Sequence, residues 1–227
     1  ASQVGDNDAL EQHLGEVLAA MRNGELGEAK RLLSACAHQL MADSAAIDPI
    51  SRERARQAAR LMLLAARIDE LRGAWLAAAA ELDIAARTLG DDDRVERWEL
   101  LVRRATALGR HGIAEGDTNA LHEAVNVYTH AARMISERDR PVEWAIAHID
   151  LGRILLQLGE LEERPERFLA AVLHFKPAAQ VFSAQHDPEH WAQAQLGIAD
   201  GLRCQGCYEA SPSVLSEAVF AYRAVLG

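Results

Sequence analysis

Apolar residues recur along the chain with the spacing of amphipathic helices, three or four positions apart. The first such segment carries them on one face: Leu10, Leu14, Val17, Leu18 and Met21. Glycines, or prolines with polar neighbours, interrupt the pattern between segments. The pattern predicts ten helices in five antiparallel hairpins: 8–22, 25–42, 50–71, 74–89, 94–112, 117–137, 141–158, 165–185, 188–204 and 211–226. Asp48 is expected to cap the third helix, ahead of Pro49 in its first turn.

The second part of the chain repeats itself at an offset of 47 residues. Trp144 aligns with Trp191, and Gly159 aligns with Gly206. Further series in the same register are Gly112, Gly159 and Gly206; Leu121, Phe168 and Leu215; Ala124, Ala171 and Ala218; Tyr128, Phe175 and Tyr222. A fixed period of this length is typical of a helical repeat array.

The repeat predicts how the hairpins are built. The Trp and Tyr/Phe series are expected in the core, and the glycine series is expected at the turn inside each hairpin. Part of the repeat's 47-residue length is expected to lie in long turns inside the hairpins, at 160–167 and 207–214. Pro177 is expected to kink or break its helix.

These patterns define the predicted architecture. The fold class is an all-α, right-handed superhelical solenoid of about five antiparallel helix hairpins, with a concave and a convex side. Residues 94–227 contain the repeats that match well, whereas residues 1–93 hold diverged copies of the same unit, with Gly24 aligned on Gly73 at an offset of 49. The last copy stops short at Gly227, which suggests a piece of a longer array.

The repeated phrase resembles the tetratricopeptide repeat (TPR) family, in a bacterial subtype with longer repeats. The residues that carry the resemblance are Trp144-Ala145 with Leu151-Gly152, and Trp191-Ala192 with Ile198-Ala199. The usual repeat has about 34 residues. The resemblance implies a binding scaffold without catalysis, in which the first helix of each hairpin lines a concave groove that holds a peptide or protein.

Non-core positions on the predicted first helices are the groove candidates: Arg104, Ile149, Arg153, Leu156, Gln157, Leu196, Asp200 and Arg203. Arg153 and Arg203 are suited to hold a carboxylate through paired hydrogen bonds. Ile149 and Leu196 would supply apolar contact.

Composition and charge limit the classes of partner. The formal charge is −10, and the arginine-rich stretch 52–60 has acidic neighbours, so non-specific nucleic-acid binding is not expected. No apolar run is long enough to insert in a membrane. The first residues do not read as a signal peptide, and three cysteines cannot form a full disulfide framework, so a reducing cytoplasmic location is expected.

No cofactor, metal or catalytic motif stands out. Cys204 and Cys207 form a CxxC pair, but they fall at the end of a predicted helix, where the helix dipole disfavours a thiolate. His186 and His190 are separated by Asp187-Pro188, so they are not expected to form a metal site.

The leading hypothesis is therefore a non-catalytic scaffold for a peptide or protein partner. One alternative is a ligand- or peptide-responsive regulatory module of a larger signalling protein, and another is a helical enzyme with an unrecognised site. Self-association through the terminal repeat is a further expectation.

Overall fold

The computed structural model describes residues 2–42 and 49–226. These residues form ten α-helices and one short 3-10 helix at Asp91–Asp93. The α-helices are α1 (Ser2–Arg22), α2 (Leu26–Ala42), α3 (Pro49–Leu71), α4 (Trp75–Thr88), α5 (Arg94–Glu115), α6 (Thr118–Ala132), α7 (Pro141–Glu162), α8 (Pro165–Val181), α9 (Pro188–Tyr208) and α10 (Pro212–Leu226). Pro49 begins α3 as predicted, while the predicted cap Asp48 lies outside the described residues.

The chain divides into two compact units, residues 1–107 and 108–227. In the first unit α2 packs against α1 and α3, and α3 packs against α4. In the second, each of α7, α8 and α9 packs against the helix before it and the helix after it. The predicted all-α fold of successive helix hairpins is confirmed. The division of the sequence into residues 1–93 and 94–227 was based on how closely the repeats resemble each other, which the compact units do not test, so it stays a prediction.

The glycine series of the repeat lies inside helices and not at turns. Gly112, Gly159 and Gly206 belong to α5, α7 and α9. A Cβ atom built on Gly159 would lie 2.5 Å from Cε1 of Phe168, and one built on Gly206 would lie 2.9 Å from Leu215. Phe168 and Leu215 belong to the second repeat series, so the two series pack on each other. The prediction of turn glycines was wrong because the small side chain is needed for close helix approach.

The turns of the hairpins use another recurrent position. Residues with positive φ follow the first helix of every hairpin: Gly24, Gly73, Gly116, Glu163 and Ala210. The last three lie 47 residues apart, which is the offset of the repeat. A left-handed backbone at this position ends the first helix and reverses the chain direction.

Phe175 of α8 occupies the centre of the second unit. Its side chain is 0% exposed. A Cβ atom on Gly152 of α7 would lie 2.7 Å from Cζ of this ring, and one on Gly197 of α9 would lie 2.5 Å from the same atom. The ring therefore fills a slot between two helices that approach closely because neither has a side chain there.

The aromatic series is buried to different degrees. Tyr128 and Phe175 are fully buried, as predicted, and Trp98 is buried in the first unit. Trp144 and Trp191 are only half-buried. Both lie in the first turns of α7 and α9.

Two predictions about helix ends were wrong. The helix α8 continues through Pro177 to Val181, so the predicted break is wrong, while the alternative of a kink stays a prediction. The additional residues of the repeat lengthen α7 and α9, which end at Glu162 and Tyr208, so the turns after them are short.

A buried ion pair joins α2 and α3 in the first unit. Lys30 Nζ lies 2.5 Å from Oδ2 of Asp69, whose side chain is 2% exposed. Glu81 of α4 is 3.7 Å from the same Nζ, and Ser34 donates a hydrogen bond to its carboxylate. The polar cluster fixes the relative position of three helices, because an unpaired charge at Asp69 would be costly.

Candidate functional site

The first helices of the last two hairpins lie side by side in the second unit. Leu156 Cδ2 of α7 is 3.5 Å from the position a Cβ atom would take on Gly201 of α9. Four residues further along α7, Glu160 accepts a weak hydrogen bond from Cys204 Sγ at 3.7 Å. The predicted groove residues of α7 and α9 therefore belong to one continuous surface.

Three of the four candidates on α7 reach this surface. Arg153 is exposed, with 56% of its side chain in contact with solvent, and its guanidinium lies 3.5 Å from Asp150. Leu156 and Gln157 are half-buried. Ile149 is 1% exposed and belongs to the core, so its assignment to the groove was wrong. Its position in α7 faces the neighbouring helices, because helices pack on several sides of α7.

The candidates on α9 form a small apolar and charged patch. Leu196 is 41% exposed. Asp200 accepts a short hydrogen bond from the hydroxyl of Tyr222 in α10, and Arg203 Nε lies 3.8 Å from the same carboxylate. Burial raises the pKa of Tyr222, and its bond to Asp200 raises it further, so the phenol stays protonated. Arg203 also hydrogen-bonds Tyr222 and Cys204, and it remains exposed.

Arg104 is directed elsewhere. Its Nη1 atom lies 2.8 Å from Oδ1 of Asp83 on α4, the second helix of the preceding hairpin. Arg87 binds the other oxygen of that carboxylate at 2.7 Å. Arg104 therefore has a structural ion pair within the first unit, and its assignment to the groove is not supported by this contact.

The sequence analysis missed a cavity of about 280 Å³ in the first unit. It lies between α3 and α5, the first helices of two successive hairpins, beside Leu89, which follows α4. Its lining residues are Arg56, Ala59, Arg60, Leu63, Arg67, Leu89, Glu96, Glu99, Leu100 and Arg103. Four arginines and two glutamates make the lining net positive in a chain whose formal charge is −10.

Two of the arginines are neutralised within the fold. Arg56 Nε is 2.6 Å from Asp93, a carboxylate that is largely buried where α5 begins. This hydrogen bond to Asp93 raises the pKa of the Arg56 guanidinium. Arg103 of α5 lies 3.3 Å from Glu70 of α3. Both ion pairs fix the walls of the cavity.

The other two arginines, Arg60 and Arg67, are exposed. Among the residues that the structure describes, no carboxylate is within ion-pairing distance of either. A signal was present in the sequence, because four long side chains are spaced four, three and four residues apart and so share one face of α3: Arg56, Arg60, Leu63 and Arg67. The sequence analysis did not single out this stripe, because the arginine-rich stretch has acidic neighbours in the sequence.

The CxxC pair lies in the last two turns of α9, as predicted. Arg203 Nη2 is 3.3 Å from Sγ of Cys204. Burial nevertheless raises the pKa of the Cys204 thiol, which disfavours its thiolate. Within the part of the chain that the structure describes, no group of three or more His, Cys, Asp or Glu side chains is arranged to hold a metal ion.

Two histidines form a partly buried pair in the second unit. Nδ1 of His148 and Nδ1 of His174 are 3.0 Å apart, and the ring of Trp144 packs on His148 with centroids 4.0 Å apart and planes tilted by 36°. Burial, and the neighbouring His174, lower the pKa of His148 to about 4. Burial also lowers the pKa of His174. With both pKa values lowered, both rings are neutral at pH 7, and one ring donates to the other.

Comparisons with known proteins give little help with this chain. No family model matches it, and none of the curated proteins matches its sequence. One solved structure, described as "DHF58 filament", is 19% identical and covers 89% of this chain and 96% of its own, with a TM-score of 0.35. A TM-score this low supports no inference about fold or function. No helix in the described ranges 2–42 and 49–226 is both long and apolar enough to cross a membrane.

Proposed function

We propose that this protein is a non-catalytic TPR-like scaffold that binds a peptide or protein partner along the first helices of its hairpins. One observation carries the proposal: in each unit, first helices of successive hairpins lie side by side with exposed polar and apolar residues between them. In the second unit these helices are α7 and α9, joined through Leu156 and Gly201. In the first unit they are α3 and α5, which line the cavity.

The surface on α7 and α9 suits a partner with carboxylates near an apolar side chain. Arg153 and Arg203 are exposed, and each is paired with a carboxylate of its own helix. The Arg203–Asp200 pair is exposed on both sides and contributes at most about 1 kcal/mol, so a partner's carboxylate can replace it at little cost. Asp150, which pairs with Arg153, is only 21% exposed, so a partner's carboxylate would bind Arg153 beside this pair. Leu196 offers the apolar contact.

A pull-down from the native cell extract tests the proposal. The bait is the wild-type protein beside an Arg153→Glu, Asp200→Lys, Arg203→Glu variant, with its helical content checked by circular dichroism. The matched control is Lys176→Glu, which makes the same change in net charge at an exposed position of a second helix, α8. We expect a partner that wild type and control retain and that the triple variant loses. A partner held equally by all three would place binding elsewhere and contradict the α7–α9 surface.

A second function is favoured by the cavity in the first unit. Because residues of both α3 and α5 line it, a group bound there would contact both helices and change how they pack, as expected of a ligand- or peptide-responsive regulatory module. Slower amide hydrogen exchange throughout α3 and α5 on ligand binding, extending to α2 and α4, would support this function. Protection confined to the cavity residues would contradict it.

We also propose a reducing, cytoplasmic location. Cys36, Cys204 and Cys207, the three cysteines of the chain, are all free thiols. Free cysteines persist in reducing compartments, where disulfides are rare. Fractionation with thiol labelling of the native protein would test this location.

A further inference from the structure

We infer that the cavity between α3 and α5 binds an acidic peptide segment in which two carboxylates flank an apolar side chain. The inference rests on the proposed function, because it names the chemistry of a partner held by first helices. It concerns a site in the first unit that is separate from the α7–α9 surface.

The charge of the site comes from Arg60 and Arg67. Both are exposed, and the described part of the chain offers no carboxylate to pair with either. By contrast, Arg56 and Arg103 are already bound to Asp93 and Glu70. The cavity thus has two guanidiniums that the fold uses to hold its walls and two that remain available to a ligand.

The spacing of the available arginines sets the spacing of the ligand's charges. Arg60 and Arg67 are seven residues apart on α3, which is about 10 Å along a helix. Two carboxylates three residues apart match this distance in a peptide with the polyproline II conformation, which rises about 3.1 Å per residue and, with three residues per turn, places both on the same face. Each can then accept paired hydrogen bonds from one guanidinium.

The surface between the two arginines is apolar. Leu63 lies between them on α3, and Ala59, Leu89 and Leu100 line the same cavity. An apolar side chain between the two carboxylates would bury its surface here, at about 25 cal/mol per Å² of area removed from water.

The dimensions and charge favour a peptide over other anions. At about 280 Å³ the cavity is at the lower limit for a small-molecule site, and it suits one or two side chains of a longer segment. Two available arginines do not form the continuous basic stripe that the phosphates of a nucleic acid require. Glu96 and Glu99 on the α5 wall disfavour a uniformly negative ligand, whereas the N–H groups of a peptide backbone can donate to them.

The test uses the full chain and a fluorescein-labelled peptide of sequence EALEALE, with QALQALQ and KALKALK as probes of the same length. We expect fluorescence anisotropy to show saturable binding of EALEALE, at least tenfold tighter than QALQALQ and weakened by salt. Equal affinity for the acidic and neutral peptides would overturn the inference. Tighter binding of a single-stranded DNA oligonucleotide, or of glutarate as a free dicarboxylate, would also overturn it.

Charge reversal then locates the site. Arg60→Glu, Arg67→Glu is expected to lose at least tenfold in affinity for EALEALE, while Arg133→Glu, Arg138→Glu, an equal charge change at exposed positions, is expected to keep it. An equal loss of affinity in both variants would show that the peptide is attracted by net charge alone, and it would overturn the assignment of the site to the cavity.

The same double variant separates this inference from the proposed function. Suppose that the Arg60→Glu, Arg67→Glu variant retains the partner captured from the cell extract, whereas the α7–α9 variant loses that partner. The scaffold function then stands, and the EALEALE binding assay alone decides whether the cavity is a peptide site. If EALEALE binds wild type through Arg60 and Arg67 while no partner is captured by any bait, the cavity stands and the α7–α9 surface fails.

Discussion

The slot around Phe175 allows a sharp test of how the second unit is built. Replacing Gly197 of α9 by alanine would place a new Cβ atom 2.5 Å from Cζ of the ring. Real Cβ atoms do not approach so closely, so something must shift. The ring has little room to move away, because its side chain has no solvent-exposed surface and Gly152 of α7 also packs closely on it: a Cβ atom built on Gly152 would lie 2.7 Å from Cζ.

Two opposing effects set the magnitude for Gly197→Ala. Alanine favours the helix over glycine by about 1 kcal/mol. Overpacking a close-packed core costs about 1–3 kcal/mol, and we take the upper value because the ring is confined from both sides. The expected result is a net loss of about 2 kcal/mol in the free energy of unfolding.

Urea unfolding followed by circular dichroism measures this loss, and amide hydrogen exchange in α7–α9 assigns it to the second unit. Gly15→Ala in α1 is the matched control, because a Cβ atom there has no neighbour within 4 Å. The control is expected to gain up to about 1 kcal/mol.

A double-mutant cycle with Phe175→Leu identifies the cause. With the smaller side chain, Gly197→Ala should be neutral or stabilising, which gives a coupling of at least about 1 kcal/mol. A Gly197→Ala protein as stable as the wild type, or effects of the two changes that simply add, would refute the close approach.

Three further predictions concern other parts of the fold. Gly116→Ala is expected to cost about 1 kcal/mol, seen in urea melts, because its φ of +67° strains any residue with a Cβ atom. Lys30→Met is expected to cost about 3 kcal/mol in the same assay, since it leaves the Asp69 carboxylate buried without its ion pair. Stability measured against pH is expected to be complete above pH 6.5 and to fall as the pH is lowered towards about 4, because the unfolded chain binds protons that His148 and His174 in the folded state do not.

Each of these three predictions has its own control. Gly90→Ala is expected to cost less than Gly116→Ala, because Gly90 has a φ of −77° and open space around it. A Lys30→Met, Asp69→Leu protein should recover much of the lost stability, and no recovery would show that the ion pair was not the cause. In His148→Phe the loss of stability on acidification should be smaller, and an unchanged pH profile would exclude the histidine pair as its source.

The sequence by itself determined the class of fold and the repeat. Apolar spacing depends on residues three or four apart, so it reports the helices directly, and the register of Tyr128, Phe175 and Tyr222 reports which positions recur. It also singled out Gly159 and Phe168 as recurrent positions. It did not show that they pack on each other, because a glycine is equally common at a turn and at a close helix contact.

Only the tertiary structure decided which side chains face a partner. Ile149 and Arg153 are neighbours on one helix, yet the first is buried and the second is exposed, because helices pack on several sides of α7. The cavity exists only because the fold brings α3 and α5 side by side, although α4 separates them in the sequence. Ion pairs across such distances, like Arg103 with Glu70, decide which arginines remain available, and local spacing contains no information about them.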